Sequence, residues 1–465
     1  MTLGQVADKT DGFDLQHEIQ LRLVRSYDLR GVVGAELTEA DAHALGLRLA
    51  TAARARGGRR IAVGYDGRLS SPALAAALTA GLVAAGAEAL TIGRGPTGML
   101  YHAVHAHDLD GGVMVTGSHN PADQNGFKLL IGKAPVFGAA LRALVEAPAA
   151  AAPGGDTVQL TVEDAYCARL LDAAKGAPAL RAVWDPGNGA AGDIVSRLAA
   201  ALPGEHHVIN AEVDGNFPAH HPDPSVPDNL RQLRDAVLAR HAHLGIAFDG
   251  DGDRIGVVDG DGEIVWPDQL LLFLAQAILR ARPGAPIVFD VKSSRVLADG
   301  IAAAGGQAVL SPSGYVLVRE RMLGKGAPLA GEMSGHIFYA DGWDGTDDAL
   351  HVAMRLLRAL RAPDALTAFR RSLPVTFATP ELRLPCADAE KAFVLSRVSD
   401  ALAAEHAKVD RTDGLRVSEP DGWWLLRASG TEPKLTARVE GWSEAARDRL
   451  AAGLYARLTA AGWSA

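Results

Sequence analysis

Apolar runs that end in an aspartate recur three times along the chain. They lie at residues 61–66, 183–185 and 287–290. Each run is short, and a stretch rich in alanine and leucine follows it, a pattern that predicts a buried strand leading into a helix. The repetition predicts one α/β unit used three times.

Each predicted unit also leads to a second strand that ends in a distinctive polar turn. The turns lie at residues 116–120, 249–254 and 331–336. In open α/β sheets, ligands gather at the carboxyl ends of the strands. We therefore expect the three turns to face one shared cleft.

The C-terminal part of the chain has a different pattern. Helical stretches there alternate with short strands at 423–426 and 435–439, which predicts a smaller α+β domain. Linker-like segments lie at 147–155 and 372–374. The predicted fold class is therefore α/β, with three similar α/β domains built on mixed sheets and a smaller C-terminal α+β domain. The expected domain bounds are 1–160, 161–263, 264–374 and 375–465.

Composition narrows the possible partners and the cellular setting. The chain has 465 residues, of which 48% are hydrophobic, enough apolar material for several cores. A formal net charge of -9 argues against nucleic acid as a partner, because such binding depends on cationic surface. Cys167 and Cys386 lie far apart without a CxxC pattern, which argues against a disulfide framework or a structural zinc site. A reducing, cytoplasmic setting fits.

Neither a secretory signal nor a membrane span is expected. Residues 1–14 contain Asp and Lys but no apolar core of a signal peptide. The uncharged run 69–87 is rich in alanine, with Ser71 as the expected N-cap and Pro72 as the first helical residue. We interpret this run as a helix of a protein without membrane spans.

One serine stands at the tip of the first polar turn. The apolar residues 113–115 break into the turn 116–121, which predicts a buried strand that presents the Ser118 hydroxyl to a cleft. The alternative is a loop in which Ser118 and Asn120 only cap the next segment, since both side chains readily bond to nearby backbone groups.

The second turn carries three carboxylates at alternate positions, Asp249, Asp251 and Asp253. Two like charges about 4 Å apart repel by roughly 4 kcal/mol at an effective dielectric near 20, so a cation is expected between them. A calcium EF-hand is excluded, because its sixth loop position would be Arg254 and its twelfth Gly260. Oxygen ligands favour Mg²⁺. The alternative is a solvated acidic turn.

Two further loops carry side chains suited to a sugar and a phosphate. Residues 331–336 offer a carboxylate, a hydroxyl and an imidazole for hydrogen bonds to a polyhydroxylated ligand, although His336 fits equally well as a structural histidine. Residues 427–434 combine arginine, hydroxyls and a glycine in a pattern typical of a phosphate cradle. In the segment 25–31, the arginines suit phosphate oxygens or a salt-bridged turn.

These motifs, taken in order, resemble the α-D-phosphohexomutases, and among them the bacterial phosphomannomutase/phosphoglucomutase group. The resemblance covers nearly the whole chain. The motifs that carry it lie at residues 27–31, 116–121, 125–128, 214–218, 249–254, 331–336 and 427–434.

The resemblance implies four domains around a central cleft, with Mg²⁺ as cofactor and hexose 1,6-bisphosphate as activator and intermediate. It implies a phosphorylated Ser118. The implied catalytic residues are Ser118, His119, Lys128, Arg254 and Lys292. The implied metal ligands are Ser118, Asp249, Asp251 and Asp253. The implied substrate contacts are Tyr27, Arg30, Lys292, Tyr315, Glu332, Ser334, His336, Arg427, Ser429, Gly430 and Thr431.

The chain departs from the family pattern at two positions. Tyr315 stands where close relatives carry a histidine, and Gln269 stands where they often carry arginine. These departures bear on substrate preference more than on reaction class. The pair His220 and His221 suggests metal binding, but we favour a structural loop, because an oxygen metal site is already predicted.

The expected function is reversible phosphoryl transfer between O1 and O6 of mannose or glucose phosphates. Met333 favours this class over phosphoglucosamine mutases. Lys128 or Lys292 would need a lowered pKa to assist proton transfer. The alternatives are a haloacid-dehalogenase-type phosphatase with Asp249 as nucleophile and a non-catalytic sugar-phosphate sensor. The expected partners are small hexose phosphates, and a monomer is favoured over a dimer.

Overall fold

The computed structural model describes residues 13–430 and 433–464. The chain divides into two compact units. The first comprises Met1–Trp266 and Ser334–Thr367, and the second comprises Pro267–Met333 and Ala368–Ala465. Most of the N-terminal stretch that lacks a signal-peptide pattern lies outside the described residues, as does Thr431.

The N-terminal part of the first unit is built on a mixed sheet. Its strands are β1 Leu29–Val32, β2 Arg60–Tyr65, β3 Glu88–Arg94, β4 Gly111–Val115, β5 Gln124–Ile131, β6 Ala134–Pro135 and β7 Asp156–Gln159. Its helices are α1 Glu39–Arg54, α2 Ser71–Ala84, α3 Thr97–Ala106 and α4 Gly138–Glu146. The strand order is β1-β5-β4-β2-β3-β7, with β6 beside β5. Strands β4, β2, β3 and β7 run parallel, whereas β5 is antiparallel to both its neighbours β1 and β4.

Helix α1 has a side-chain cap at its N-terminus, whereas helix α2 has none. Helix α1 begins with a capping box, in which Thr38 and Asp41 each bond to the other's backbone N–H. Helix α2 begins at Ser71 with Ser70 as its N-cap, so the prediction that Ser71 is the N-cap and Pro72 the first helical residue was wrong by one position. The cause is that the Ser71 hydroxyl donates to Asp66, 2.5 Å away, and does not cap the helix.

The next part of the first unit repeats the α/β pattern. Its elements are α5 Glu163–Ala173, β8 Leu180–Asp185, α6 Gly192–Ala201, β9 Gly204–Val208, α7 Arg231–Ala239, β10 Leu244–Phe248, β11 Ile255–Asp259 and β12 Ile264–Val265. The sheet order is β12-β11-β10-β8-β9. Strands β8, β9 and β10 run parallel, whereas β10 and β11 form an antiparallel pair that holds the acidic turn between them.

The third α/β region contributes to both units. In the second unit it supplies α8 Pro267–Ala281, β13 Pro286–Asp290, α9 Arg295–Ala303, β14 Gln307–Ser311, α10 Tyr315–Lys325 and β15 Leu329–Gly331. There β13 pairs in parallel with β14 and β15. In the first unit it supplies the antiparallel pair β16 Ile337–Tyr339 and β17 Thr346–Asp347, followed by α11 Ala349–Ala359. Helix α12, Ala365–Ser372, follows.

The C-terminal region of the second unit is built on an antiparallel sheet. Its elements are β18 Phe377–Ala378, β19 Leu382–Pro385, α13 Asp388–Ala404, β20 Lys408–Asp410, β21 Leu415–Glu419, β22 Gly422–Ala428, β23 Lys434–Gly441 and α14 Glu444–Ala460. The strand order is β18-β23-β22-β21-β20, with β19 beside β23.

The predicted fold class is confirmed: three α/β regions with mixed sheets precede a C-terminal antiparallel-sheet region. Both cysteines are buried free thiols. Among the described helices, none has the length and apolar content that crossing a membrane requires.

Candidate functional site

The serine turn follows strand β4 in the first unit. Ser118 is buried and adopts a positive φ of 49°, in the left-handed region that disfavours residues other than glycine. Its N–H donates to Thr116 Oγ1 at 2.7 Å, and its hydroxyl donates to Asp249 Oδ2 at 2.8 Å. The hydroxyl therefore reaches the acidic turn and does not cap the following segment.

The acidic turn joins β10 to β11 and is closed to solvent. Asp249, Asp251 and Asp253 are each at most 1% exposed, and one carboxylate oxygen from each lies within 4.8 Å of the others. Asp249 Oδ1 accepts from the backbone N–H groups of Asp253 and Arg254, at 3.0 and 3.1 Å. The alternative of a solvated acidic turn is wrong, because an apolar strand carries these carboxylates into the interior.

A buried lysine neutralises part of this charge. Lys128, on β5, donates to Asp251 Oδ2 at 2.7 Å and also to Asp253. Burial raises the pKa of Asp249 well above its usual value, and the charges of Asp253 and Asp251 add to the rise. Burial opposes ionisation of Asp253 as well, but Lys128 and His336 outweigh it and hold the Asp253 pKa well below its usual range.

The donor set fits a divalent metal ion. Asp251 Oδ1 and Asp253 Oδ1 are buried and accept no hydrogen bond within the described part of the chain. Buried carboxylate oxygens without partners are costly unless a cation or donor meets them. An all-oxygen set of this size suits Mg²⁺.

His119, next to the serine, faces a carboxylate from the loop between β9 and α7. Its Nδ1 lies 3.1 Å from Asp223 Oδ2. The charge of Arg254, together with burial, lowers the His119 pKa to about 4, so the imidazole is neutral at neutral pH. His221 completes a group with these two residues whose ligand atoms lie within 4.8 Å of one another. His220 instead pairs with Asp185 at 2.9 Å, as a structural histidine does.

The third turn brings His336 to the acidic turn. His336 Nε2 lies 3.4 Å from Asp253 Oδ1 and 3.4 Å from Arg254 Nε, and its Nδ1 is 2.9 Å from Ser334 Oγ. Asp347 Oδ2 is 3.9 Å from the same Nε2. Burial, together with the charge of Asp253, raises the Asp347 pKa to about 7. Residues 334–336 of the third turn therefore lie close to the acidic turn within the first unit, and the expectation that the three turns face one shared cleft stays a prediction.

Arg30 supports the serine turn from strand β1. It forms a salt bridge with Asp28 at 2.8 Å, and its Nη1 donates to the Thr116 carbonyl at 2.6 Å. The alternative of a salt-bridged segment is therefore confirmed, and the guanidinium also holds the backbone that leads to Ser118. The Tyr27 ring lies 6.4 Å from that of Phe137.

The second unit holds the other expected substrate contacts. Glu332 Oε1 accepts from the Gly314 N–H at 2.6 Å, directly before Tyr315 begins α10. Lys292 Nζ lies 3.6 Å from Glu381. Gln269 lies in the first turn of α8.

The expected phosphate loop follows strand β22 in the same unit. Arg427 Nε donates to Asp413 at 2.9 Å, and the Ser429 carbonyl accepts from Lys391 Nζ at 2.9 Å. Gly430 is the last described residue before the gap that includes Thr431. The roles of these residues as ligand contacts stay predictions.

Sequence reasoning missed several residues that shape the site. Thr97, at the start of α3, donates its hydroxyl to Asp251 at 2.7 Å, and no local pattern distinguished it. Asp223 and Asp347 carried no signal beyond their charge. Asp66 could be singled out because it ends one of the repeated apolar runs. The role of Arg68 could not be predicted, because it depends on contacts with backbone carbonyls that only the fold brings near.

Family models match almost the whole described chain in the order of its domains. They describe the α/β/α domains I, II and III and the C-terminal domain of phosphoglucomutase/phosphomannomutase. The matched residues are 21–151, 164–262, 266–373 and 381–457.

Individual proteins are similar over the same extent. The phosphoglucomutase of Neisseria gonorrhoeae is 40% identical over 438 residues, covering 92% of this chain and 95% of that protein. The phosphomannomutase/phosphoglucomutase of Pseudomonas aeruginosa is 40% identical over 433 residues, covering 92% and 93%. The crystal structure of a phosphoglucomutase/phosphomannomutase family protein from Burkholderia thailandensis matches with a TM-score of 0.89 at 38% identity, covering 96% of this chain and 98% of that one.

Proposed function

Because this chain belongs to the phosphoglucomutase/phosphomannomutase family and is an isomerase that interconverts hexose 1- and 6-phosphates, we propose that it works through a phosphorylated Ser118. The observation that carries this proposal is the 2.8 Å contact between the Ser118 hydroxyl and Asp249. A hydroxyl buried beside carboxylates suited to a metal is well placed to carry a phosphoryl group.

The proposed reaction uses the same serine twice. First, the bond from phosphorus to Ser118 Oγ breaks while a bond forms to the free hydroxyl oxygen of a hexose monophosphate. The sugar hydroxyl loses its proton to a base, and Ser118 Oγ gains a proton. In the second step, the other phosphorus of the hexose 1,6-bisphosphate forms a bond to Ser118 Oγ while its bond to the sugar oxygen breaks. Ser118 Oγ loses its proton and the released sugar oxygen gains one, which leaves the isomeric monophosphate.

Asp249, Asp251 and Asp253, with an oxygen on Ser118, are the proposed ligands of Mg²⁺. When bound, this ion would neutralise charge on the transferring phosphoryl group. The Arg254 guanidinium adds a second positive charge from the same turn. Asp251 Oδ1 and Asp253 Oδ1 accept no hydrogen bond among the described residues, and His336 Nε2 lies 3.4 Å from the latter; these two oxygens support the proposed ligand set.

Three side chains are the proposed acids and bases for proton transfer. His119 follows Ser118 in the chain and is proposed as a proton acceptor, a weak one because its pKa is lowered to about 4. Lys128 is paired with Asp251 and Asp253, and this pairing favours the charged ammonium and opposes the proton release that a catalytic acid needs. Lys292 is the candidate in the second unit.

Substrate recognition is proposed for the third turn and for the expected phosphate loop. Glu332, Ser334 and His336 are the proposed contacts of the sugar hydroxyls. The distal phosphate is assigned to Arg427, Ser429, Gly430 and Thr431, with Tyr27, Arg30, Lys292 and Tyr315 as further contacts. We propose mannose or glucose phosphates as substrates, and parallel assays that include glucosamine 1-phosphate test that preference. The four domains, a monomeric state and a cytoplasmic location stay predictions.

The test is Ser118→Ala, compared with Ser196→Ala, which removes a hydroxyl of the same unit that donates to the Gly192 carbonyl of its own helix. With Mg²⁺ and hexose 1,6-bisphosphate present, we expect S118A to lose at least about 10³-fold in kcat and S196A to keep its activity. Substantial mutase activity in S118A rules out the phosphoserine route.

A further inference from the structure

One buried guanidinium donates hydrogen bonds to backbone carbonyls of the serine turn. Arg68 follows strand β2 and is 1% exposed. Its two terminal nitrogens donate four hydrogen bonds of 2.5 to 2.9 Å. The accepting carbonyls belong to Ser118, Asn120, Pro121 and Gln124.

The remaining donor of Arg68 binds a carboxylate that also holds the turn. Arg68 Nε donates to Asp66 Oδ2 at 3.2 Å, and the same oxygen accepts from the Gly117 N–H at 3.1 Å. A guanidinium has five N–H donors in a fixed planar fork, whereas a lysine has three donors on one nitrogen. All five donors of Arg68 are therefore used, four of them on backbone that surrounds Ser118.

The space around this guanidinium is filled by the 214–218 motif, for which the proposed mechanism has no role. The Phe217 ring covers the Arg68 guanidinium, with 5.2 Å between its centroid and Arg68 Cζ. A Cβ added at Gly215 would lie 2.7 Å from Arg68 Cα, and one added at Gly117 would lie 2.3 Å from Arg68 Cζ. Glycine at both positions permits this close approach.

We propose that Arg68 is a positioning residue for phosphoryl transfer, which holds the serine turn so that Ser118 keeps its left-handed backbone and directs Oγ at Asp249. The proposal rests on the phosphoserine route. Arg68 itself contacts backbone carbonyls and Asp66, and it does not contact the Ser118 hydroxyl. Its effect is on geometry, and a misplacement of about 1 Å can lower a rate about 10²-fold.

The test compares Arg68→Lys with Arg48→Lys. Arg48 is also buried and donates to the carbonyls of His17, Ala44 and Ala147, away from the serine turn. Both variants lose backbone hydrogen bonds in the first unit. We expect R68K to lower kcat about 10²-fold with the KM for hexose 1-phosphate within about twofold, and R48K to leave kcat unchanged at a similar loss of melting temperature. Equal kcat values for R68K and R48K overturn the proposal.

Single-turnover transfer separates this proposal from the phosphoserine route itself. Each protein is phosphorylated with glucose 1,6-bisphosphate, Ser118 phosphate is measured by peptide mass, and its transfer to glucose 1-phosphate is timed. We expect phosphorylated R68K to transfer slowly. If phosphorylated R68K transfers at the wild-type rate, only the positioning role of Arg68 is contradicted. If the wild-type protein acquires no phosphate on Ser118, the proposed function itself is contradicted.

A second variant, Asp66→Asn, tests the same proposal if R68K does not fold. Asp66→Asn retains the shape of the side chain but removes its charge and one acceptor, which weakens its hold on Arg68 Nε and the Gly117 N–H. We expect a fall in kcat of about tenfold at unchanged KM. An unchanged kcat in D66N overturns the proposal.

Discussion

Lys128 is an internal counter-ion for two buried carboxylates, Asp251 and Asp253. Removing one partner of such a buried pair strongly destabilises the folded protein, because the other charge is left buried without compensation. A divalent ion bound at the same carboxylates competes with the ammonium for their charge. The affinity for a metal bound as proposed would therefore depend on the carboxylates and the lysine together.

Asp251→Asn tests whether the Asp251 carboxylate is a metal ligand. The substitution keeps the side-chain volume but removes a ligand charge, so we expect the Mg²⁺ concentration for half-maximal activity to rise at least about tenfold. Activity titrated with Mg²⁺ after chelation is the measurement. Asp228→Asn, an exposed carboxylate of the same unit paired with Arg231, is expected to leave the titration unchanged. An unaltered titration in D251N contradicts the ligand set.

Local patterns identified the residues whose chemistry is concentrated in a few consecutive positions. Ser118 and Asp249 could be singled out because each stands in a polar turn directly after an apolar strand. Thr97 and Arg68 could not, because each acts on a partner brought near by the sheet order, Asp251 for Thr97 and the serine-turn carbonyls for Arg68. Such pairings depend on strand register, which no short motif contains.

Helices α1 and α2 approach each other through glycine. A Cβ added at Gly46 would lie 2.2 Å from the Leu78 carbonyl oxygen, and one added at Gly81 would lie 2.0 Å from the His43 carbonyl oxygen. Backbone atoms cannot yield to such contacts without moving a whole helix. The packing of these helices therefore requires both glycines, which the alanine-rich pattern did not indicate.

Gly81→Ala is expected to destabilise the protein although alanine is the better helix former. The clash with backbone costs about 1–3 kcal/mol or more, which exceeds the gain of about 1 kcal/mol in helix propensity. Gly453→Ala on α14 is the matched control, since its Cβ would meet nothing within 4 Å, and there we expect a gain of about 0.5–1 kcal/mol. Urea unfolding measures both. Equal effects of the two substitutions contradict the close packing.

Helix α3 carries a buried histidine whose ring nitrogens have no hydrogen-bond partner within the described residues. Burial, together with the charge of Arg169, lowers the pKa of His102 to about 4. The native state therefore keeps this imidazole neutral, whereas the unfolded chain binds a proton below about pH 6.5. The contribution of His102 to the free energy of unfolding is fully present above pH 6.5 and decreases as the pH falls to about 4.

His102→Leu removes that dependence. Between pH 6.5 and 4.5 we expect the wild type to lose about 2–3 kcal/mol more unfolding free energy than H102L, as measured by urea unfolding at each pH. Parallel slopes for the two proteins indicate that His102 already carries a proton in the native state.

At the scale of the whole molecule, the two compact units do not coincide with the matched family domains. The third family domain covers residues 266–373, but residues 334–367 belong to the first compact unit. Domain order could be predicted because each region repeats the strand-to-aspartate pattern. The assignment of β16, β17 and α11 to the first unit could not be predicted. It depends on packing of α11 against α5 and β11 and of β17 against α3, which no local pattern indicates.

The proposed mechanism depends on a phosphoryl group carried by Ser118. The most direct measurement is the intact mass of the purified chain before and after incubation with glucose 1,6-bisphosphate and then with excess glucose 1-phosphate, with the modified peptide identified. We predict one phosphoryl group on Ser118 after the first incubation and its transfer to the sugar in the second. A phosphoryl group on Asp249, or no exchangeable phosphoryl group at all, would contradict the account.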